Sequence, residues 1–174
     1  MKYAYRSMYT VPPNHNLVEW DLSQAETWIT AYLANEPKMK YFLLNSDIHT
    51  ETAAAIDHVS FDQVTVIQRF KGKKGNHQLS YGSSHYRLAQ SINSESDNPP
   101  YVIVTIAEAK VISDGWHILY IRIKEWHREI QDSTRLNRTL VTPHGRERTF
   151  YGEWGEETWK EMYANLPQST VADH

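Results

Sequence analysis

The sequence predicts a mixed α/β domain, a central sheet flanked by helices. Three observations predict it. The run Tyr101-Val102-Ile103-Val104-Thr105-Ile106 is continuously apolar or β-branched, the composition of a strand buried on both faces. The β-branched and aromatic residues from Val59 to Phe70, the glycine-punctuated stretch Lys71-Gly72-Lys73-Lys74-Gly75-Asn76 and the return Gln78-Leu79-Ser80-Tyr81 read as a hairpin. From Ser23 to Ile106 the elements then run helix, strand, weak strand, strand, strand, helix, strand. That alternation sets helices against a sheet and makes part of it parallel.

Taken in order, Lys2 to Thr10 is strand-like and Val11-Pro12-Pro13-Asn14 breaks it. Asp21-Leu22-Ser23-Gln24 reads as a helix start; Trp28, Ala31 and Tyr32 carry helical spacing, and Pro37 stops it. Lys40 to Leu44 is a short apolar run, expected as a buried strand. Ser46 to Asp57 is divided between a strand at Ile48 to Thr52 and a helical turn at Thr52 to Ile56. After the hairpin, Ser83-Ser84 caps a helix through Tyr86, Leu88, Ala89 and Ile92. Asn93 to Pro100 is a polar loop. His117 to Ile123 is expected as a second strand after Asp114-Gly115, and Lys124 to Gln131 as a helix. Asn137 to Thr142 and Thr149 to Tyr151 are extended pieces around Pro143-His144-Gly145. Glu153 to Asn165 is the last helix, with acids in the first turn, where the helix dipole favours them.

The 174 residues are the size of one domain, spanning 1–174, with a flexible tail at 167–174. The chain has no cysteine, which excludes disulfides, zinc fingers and thiol catalysis and fits the cytoplasm. Met1 to Arg6 has no apolar stretch of a signal peptide, and no run approaches a membrane span. The net charge of −3 excludes a protein that coats nucleic acid by bulk charge. It leaves room for a local basic patch, and Arg69, Lys71, Lys73 and Lys74 form one. A homo-oligomer and a protein partner both stay open.

Several stretches, ending with Pro99 to Val104 and a looser C-terminal pattern, resemble the core of the restriction-endonuclease-like PD-(D/E)xK nucleases, and more closely the bacterial DUF4365 proteins. The first are a helix holding a glutamate, Ser23-Gln24-Ala25-Glu26-Thr27-Trp28; an acid after the next strand, Asn45-Ser46-Asp47; the run Val64 to Lys71, containing Gln68 and Lys71; and Leu79 to Leu88. The resemblance implies a Mg²⁺-dependent phosphodiester hydrolase. Asp47 and Gln68 would hold the metal, Glu26 would complete the acidic set, and Lys71 would stabilise the developing charge. Arg69, Lys73 and Lys74 would contact nucleic-acid phosphates. Gln68 and Lys71 stand three apart, so a bulge is needed to bring both to one face of a strand. The same residues also have a purely structural reading: Asp47 caps a turn, Gln68 pairs within the sheet, Lys71 is solvated and Glu26 faces water.

Two other classes stay open. Arg6, Ser83-Ser84 and Glu153 or Glu156 fall in the order of an Arg–Ser–Glu ADP-ribosyltransferase. A binding or inhibitory module without catalysis would use the aromatic C-terminal third, with Trp116, Trp126, Trp154 and Trp159. His49, His58, His117, His127 and His144 show no compact metal spacing.

Overall fold

A computed structural model describes residues 10–18 and 22–173. The architecture is helical, which overturns the expected central sheet flanked by helices. Among the described residues the sheet is a single antiparallel pair of short strands. The strand-like run from Lys2 falls, apart from Thr10, outside the described residues, as do Arg6 and Asp21.

Helix α1 (Ala25–Leu33) follows the expected spacing. Pro37 does more than end it. The proline is the first residue of helix α2 (Pro37–Asn45), where its missing N–H costs nothing, and the Glu36 carboxylate accepts from the Lys38 N–H at 3.1 Å. Lys40 to Leu44 therefore lies in a helix and not in a buried strand. So short an apolar run fits either period, and Tyr41 and Leu44 are exposed while Met39 is fully buried.

Helix α3 (Ile48–Asp57) is one continuous helix because Asp47 caps it, accepting from the Thr50 N–H at 3.0 Å and the Thr50 hydroxyl at 2.5 Å. A short 3-10 turn at Phe61–Gln63 leads to helix α4 (Val66–Ser80), which replaces the expected hairpin. Thr65 and Gln68 form a capping box: the Gln68 N–H donates to the Thr65 hydroxyl, and the Thr65 N–H donates to the Gln68 amide oxygen at 2.9 Å. Gly72 and Gly75, which read as turn residues, are buried in the middle of this helix.

Helix α5 (His85–Asn93) is capped by Ser84, as its sequence indicates. Next comes the segment expected as the central strand. Val102 and Val104 are buried and Tyr101 and Ile103 exposed, so the alternation of a strand is present. Among the described residues the partner strand is not. The Asn93 side chain takes its place, accepting from the Val104 N–H at 2.9 Å and donating to the Val104 carbonyl at 3.0 Å. Thr105 and Glu108 then form a second capping box that opens helix α6 (Ile106–Leu119). The expected strand at His117 to Ile123 is instead the end of α6 and the start of helix α7 (Ile121–Thr134). Strands β1 (Thr139–Val141) and β2 (Glu147–Thr149) pair Leu140 with Arg148 around the turn at Pro143-His144-Gly145. Helix α8 (Glu156–Ala172) continues through Pro167, and Leu166, Pro167 and Thr170 are buried.

Packing explains why α4 is helical despite its glycines. It lies against α3 on one side and α5 and α6 on others. The core between them holds Ile48, Leu79, Leu88, Ile92, Trp116 and Tyr120, each fully buried. Helices α1 and α8 pack together, with α1 also touching α4.

Candidate functional site

Arg69, Lys73 and His77 stand four residues apart on α4, so they share one face of that helix. That face closes a cavity of about 690 Å³. The other walls are Leu22 to Thr27 around the start of α1, His49 from α3 and Val171 from α8.

Arg69 is held by Asp47. Its Nε and Nη2 donate to the two carboxylate oxygens at 2.8 and 3.0 Å, a bidentate pair that orients the guanidinium. Partial burial pushes the Asp47 pKa up, but the Arg69 and Thr50 hydrogen bonds outweigh it, and the carboxyl titrates below its ordinary range. Lys73 is exposed and meets no carboxylate among the described residues.

His49 is buried, and its Nδ1 meets the Asn76 amide nitrogen at 3.1 Å. Burial first, and then the charges of Arg69 and Lys73, lower its pKa to about 4 against the opposing pull of Asp47. The ring is therefore neutral near pH 7. At another side of the cavity the Tyr81 hydroxyl donates to Glu26, which ties α1 to the end of α4. Burial and the Glu26 carboxylate push the Tyr81 phenol well above its ordinary range. The His77 ring packs edge-on against Tyr81 at 5.5 Å.

Of the residues singled out in the sequence, Glu26, Arg69 and Lys73 come together at this cavity, with Asp47 just behind Arg69. Gln68 is engaged in the α4 capping box. Lys71 is not among the cavity residues. Lys74 turns toward α5 and pairs with Glu95 at 2.6 Å, above the Phe70 ring. The sequence reading weighed His49 only as a metal ligand, placed Asn76 and Tyr81 in a hairpin, and did not single out His77. The signal for His77 and Tyr81 was the four-residue spacing Arg69, Lys73, His77, Tyr81, masked by two glycines that read as a turn. Among the described residues no three metal-binding side chains cluster, and Asp47 and Gln68 are both engaged elsewhere.

The aromatic C-terminal third is mostly packing. Trp116 and Trp126 are buried, and Trp154 and Trp159 stack on each other at 4.3 Å. Ser84 serves as the α5 cap, and Glu156 pairs with Lys160 at 2.7 Å.

Comparison with known proteins gives a consistent result. The profile of the family described as DNA polymerase family A matches residues 1–169. The DNA polymerase I of Caldicellulosiruptor bescii is 28% identical over 144 residues, 82% of this chain and 16% of that protein. The DNA polymerase I of Deinococcus radiodurans is 28% identical over 177 aligned positions, 97% of this chain and 17% of the relative. Among solved structures, the POL domain of Pol1 from M. smegmatis, in complex with DNA primer-template and dNTP, superposes with a TM-score of 0.71 at 24% identity. That match covers 88% of this chain and 26% of the other, and at this identity it speaks for the fold. The chain thus spans about a sixth of the curated relatives' length. These matches overturn the resemblance to restriction-endonuclease-like and DUF4365 proteins, and with it the phosphodiester-hydrolase reading. That resemblance rested on a strand order which the helices α2, α3 and α4 do not have.

Proposed function

The chain belongs to DNA polymerase family A, and from that premise we propose that the cavity between α1, α3 and α4 binds the polyphosphate of a deoxynucleoside triphosphate for addition to a DNA primer. The observation that carries the reading is the row of Arg69 and Lys73 on one face of α4, both opening on that cavity.

The chemistry suits those groups. In primer extension the 3′-hydroxyl oxygen bonds to the α-phosphorus while the bond to pyrophosphate breaks, so negative charge builds on the departing oxygens. Fixed cations beside them stabilise that charge without having to reorganise. Arg69 is already oriented by Asp47 and needs little further ordering. The Glu26 carboxylate accepts from the Tyr81 hydroxyl, and Lys73 meets no carboxylate among the described residues. The M. smegmatis relative, bound to primer-template and dNTP, supports nucleic acid and nucleotide as the partners here.

Polymerases of this family use divalent metal ions. The described residues do not form a site for one, since Glu26 is the sole carboxylate lining the cavity.

Titration of the 174-residue chain with a deoxynucleoside triphosphate, and separately with inorganic tripolyphosphate, tests the reading. Saturable binding of both, weakened by added salt and by Lys73→Ala, is expected. Absence of tripolyphosphate binding refutes it.

A further inference from the structure

We infer that Asn76 is a positioning residue: it fixes the tautomer of His49 so that a neutral ring presents Nε2–H to the polyphosphate of the bound nucleotide. The ligand named here rests on the function proposed above, whereas the tautomer rests on the geometry alone.

The argument starts at Trp116. An indole nitrogen can only donate, and Trp116 Nε1 lies 2.8 Å from Asn76 Oδ1. The orientation of the Asn76 amide follows, since flipping it would set two donors against each other. The amide nitrogen is therefore the atom that faces α3. It donates to the Thr52 hydroxyl oxygen at 3.0 Å and to His49 Nδ1 at 3.1 Å. An atom that accepts a hydrogen bond carries no proton, so the proton of neutral His49 resides on Nε2.

The rest of the network is closed and buried. The Thr52 hydroxyl donates to the Ile48 carbonyl at 2.7 Å and lies 2.6 Å from the Tyr120 hydroxyl. Thr52, Asn76, Trp116 and Tyr120 are each at most 2% exposed, so no water competes for the amide. Helices α3, α4 and α6 are joined through this one side chain. His49 Nε2 has no partner among the described residues, and the ring lines the cavity. It stands with Arg69 and Lys73 as a third donor, uncharged and held from behind. Asp47, Arg69 and Lys73 act on the ring from α3 and α4, and Glu26 and His77 share its cavity. The cation pair disfavours a third positive charge, consistent with a neutral donor.

The test is a long-range ¹H–¹⁵N correlation spectrum of the chain with ¹⁵N-labelled histidine. His49→Gln assigns the resonance by its loss. The expected result is a single neutral tautomer for His49, Nε2 protonated and Nδ1 bare, unchanged from pH 5.5 to 8. Addition of tripolyphosphate should then shift the Nε2 signal. Asn76→Asp, which presents acceptors only, should move the proton to Nδ1, and Trp116→Phe should permit a tautomer mixture. In binding, His49→Ala should weaken tripolyphosphate about tenfold, with His49→Gln restoring most of the loss through its own N–H.

An Nδ1-protonated or mixed tautomer in the parent chain overturns the inference, whether or not nucleotide binds, and does so even if the variants fail to fold. An Nε2-protonated ring that tripolyphosphate leaves unmoved, although titration shows that it binds, overturns the ligand role of His49 and leaves the nucleotide reading intact. If tripolyphosphate does not bind at all, the nucleotide reading fails and takes the ligand role with it.

Discussion

The backbone of Gly72 lies so close to that of His49 that a Cβ on the glycine would sit 2.4 Å from the His49 carbonyl oxygen. The obstacle is main chain of α3 and cannot rotate away. This contact sets the spacing between the helix that carries Arg69 and Lys73 and the helix that carries His49.

Gly72→Ala is therefore expected to destabilise the fold, although alanine is the better helix former by about 1 kcal/mol. The clash should outweigh that gain, for a net loss of roughly 1–3 kcal/mol. Gly75→Ala is the control: its Cβ would meet Trp116, Ile112 and Leu79 side-chain atoms at 3.6, 3.7 and 3.9 Å, ordinary contact distances. It should be neutral or stabilising. Urea unfolding of the two variants separates them, and equal stability would remove the close approach as a constraint.

Asp47 has two tasks that substitution can part. Asparagine still caps a helix but lacks the charge that holds Arg69 in a fork. Asp47→Asn should lose only the stability that the charge supplies and weaken triphosphate binding severalfold, while Asp47→Ala should cost about 1 kcal/mol more through the lost cap. The depressed carboxyl pKa stabilises the fold above the unfolded-state value of 3.8, and that contribution disappears as pH falls through the lower native value. Loss of stability in Asp47→Asn as large as in Asp47→Ala would contradict the division.

The lysines of α4 should behave unequally. Lys73 lines the cavity, whereas Lys71 does not and Lys74 is paired with Glu95. Lys73→Ala should weaken tripolyphosphate about tenfold and flatten the salt dependence, with Lys71→Ala and Lys74→Ala close to the parent. Equal effects from all three would mean diffuse attraction by a basic helix.

Acid should unfold the protein through its histidines. His49, His117 and His127 are each lowered to about 4, first by burial. Between pH 6.5 and 4 the unfolded chain binds protons at these positions and the native fold does not, so stability is complete above 6.5 and falls as pH drops to 4. The slope should be roughly 1 kcal/mol per pH unit for each histidine. Denaturant midpoints from pH 7 to 4.5 measure it, and the slope should shrink in His127→Gln. A flat profile would show that these rings are accessible to protons in the native state.

Local chemistry made part of the fold legible. The spacing of Trp28, Ala31 and Tyr32, the Ser84 cap, the helix over Lys124 to Gln131 and the turn at Pro143-His144-Gly145 all appear where short-range signals place them. The basic residues Arg69 and Lys73 and the acid Glu26 also stood out, though in the service of a hydrolase that the family excludes.

What the sequence by itself determined, then, were the elements whose capping and turn residues act within four positions of one another, together with the charges that the cavity displays. Tertiary structure decided the glycine-bearing body of α4, beyond its Thr65–Gln68 cap, and the extended segment before α6. Glycine lowers helix propensity, and Gly72 and Gly75 made α4 read as a turn; only the nearby backbone of α3 gives Gly72 its reason to be there. Val102 and Val104 carry a strand's alternation, but a strand is defined by its neighbour, and here that neighbour is the single amide of Asn93. The same holds for His49, whose tautomer is set through Asn76 by an indole 40 residues further along the chain.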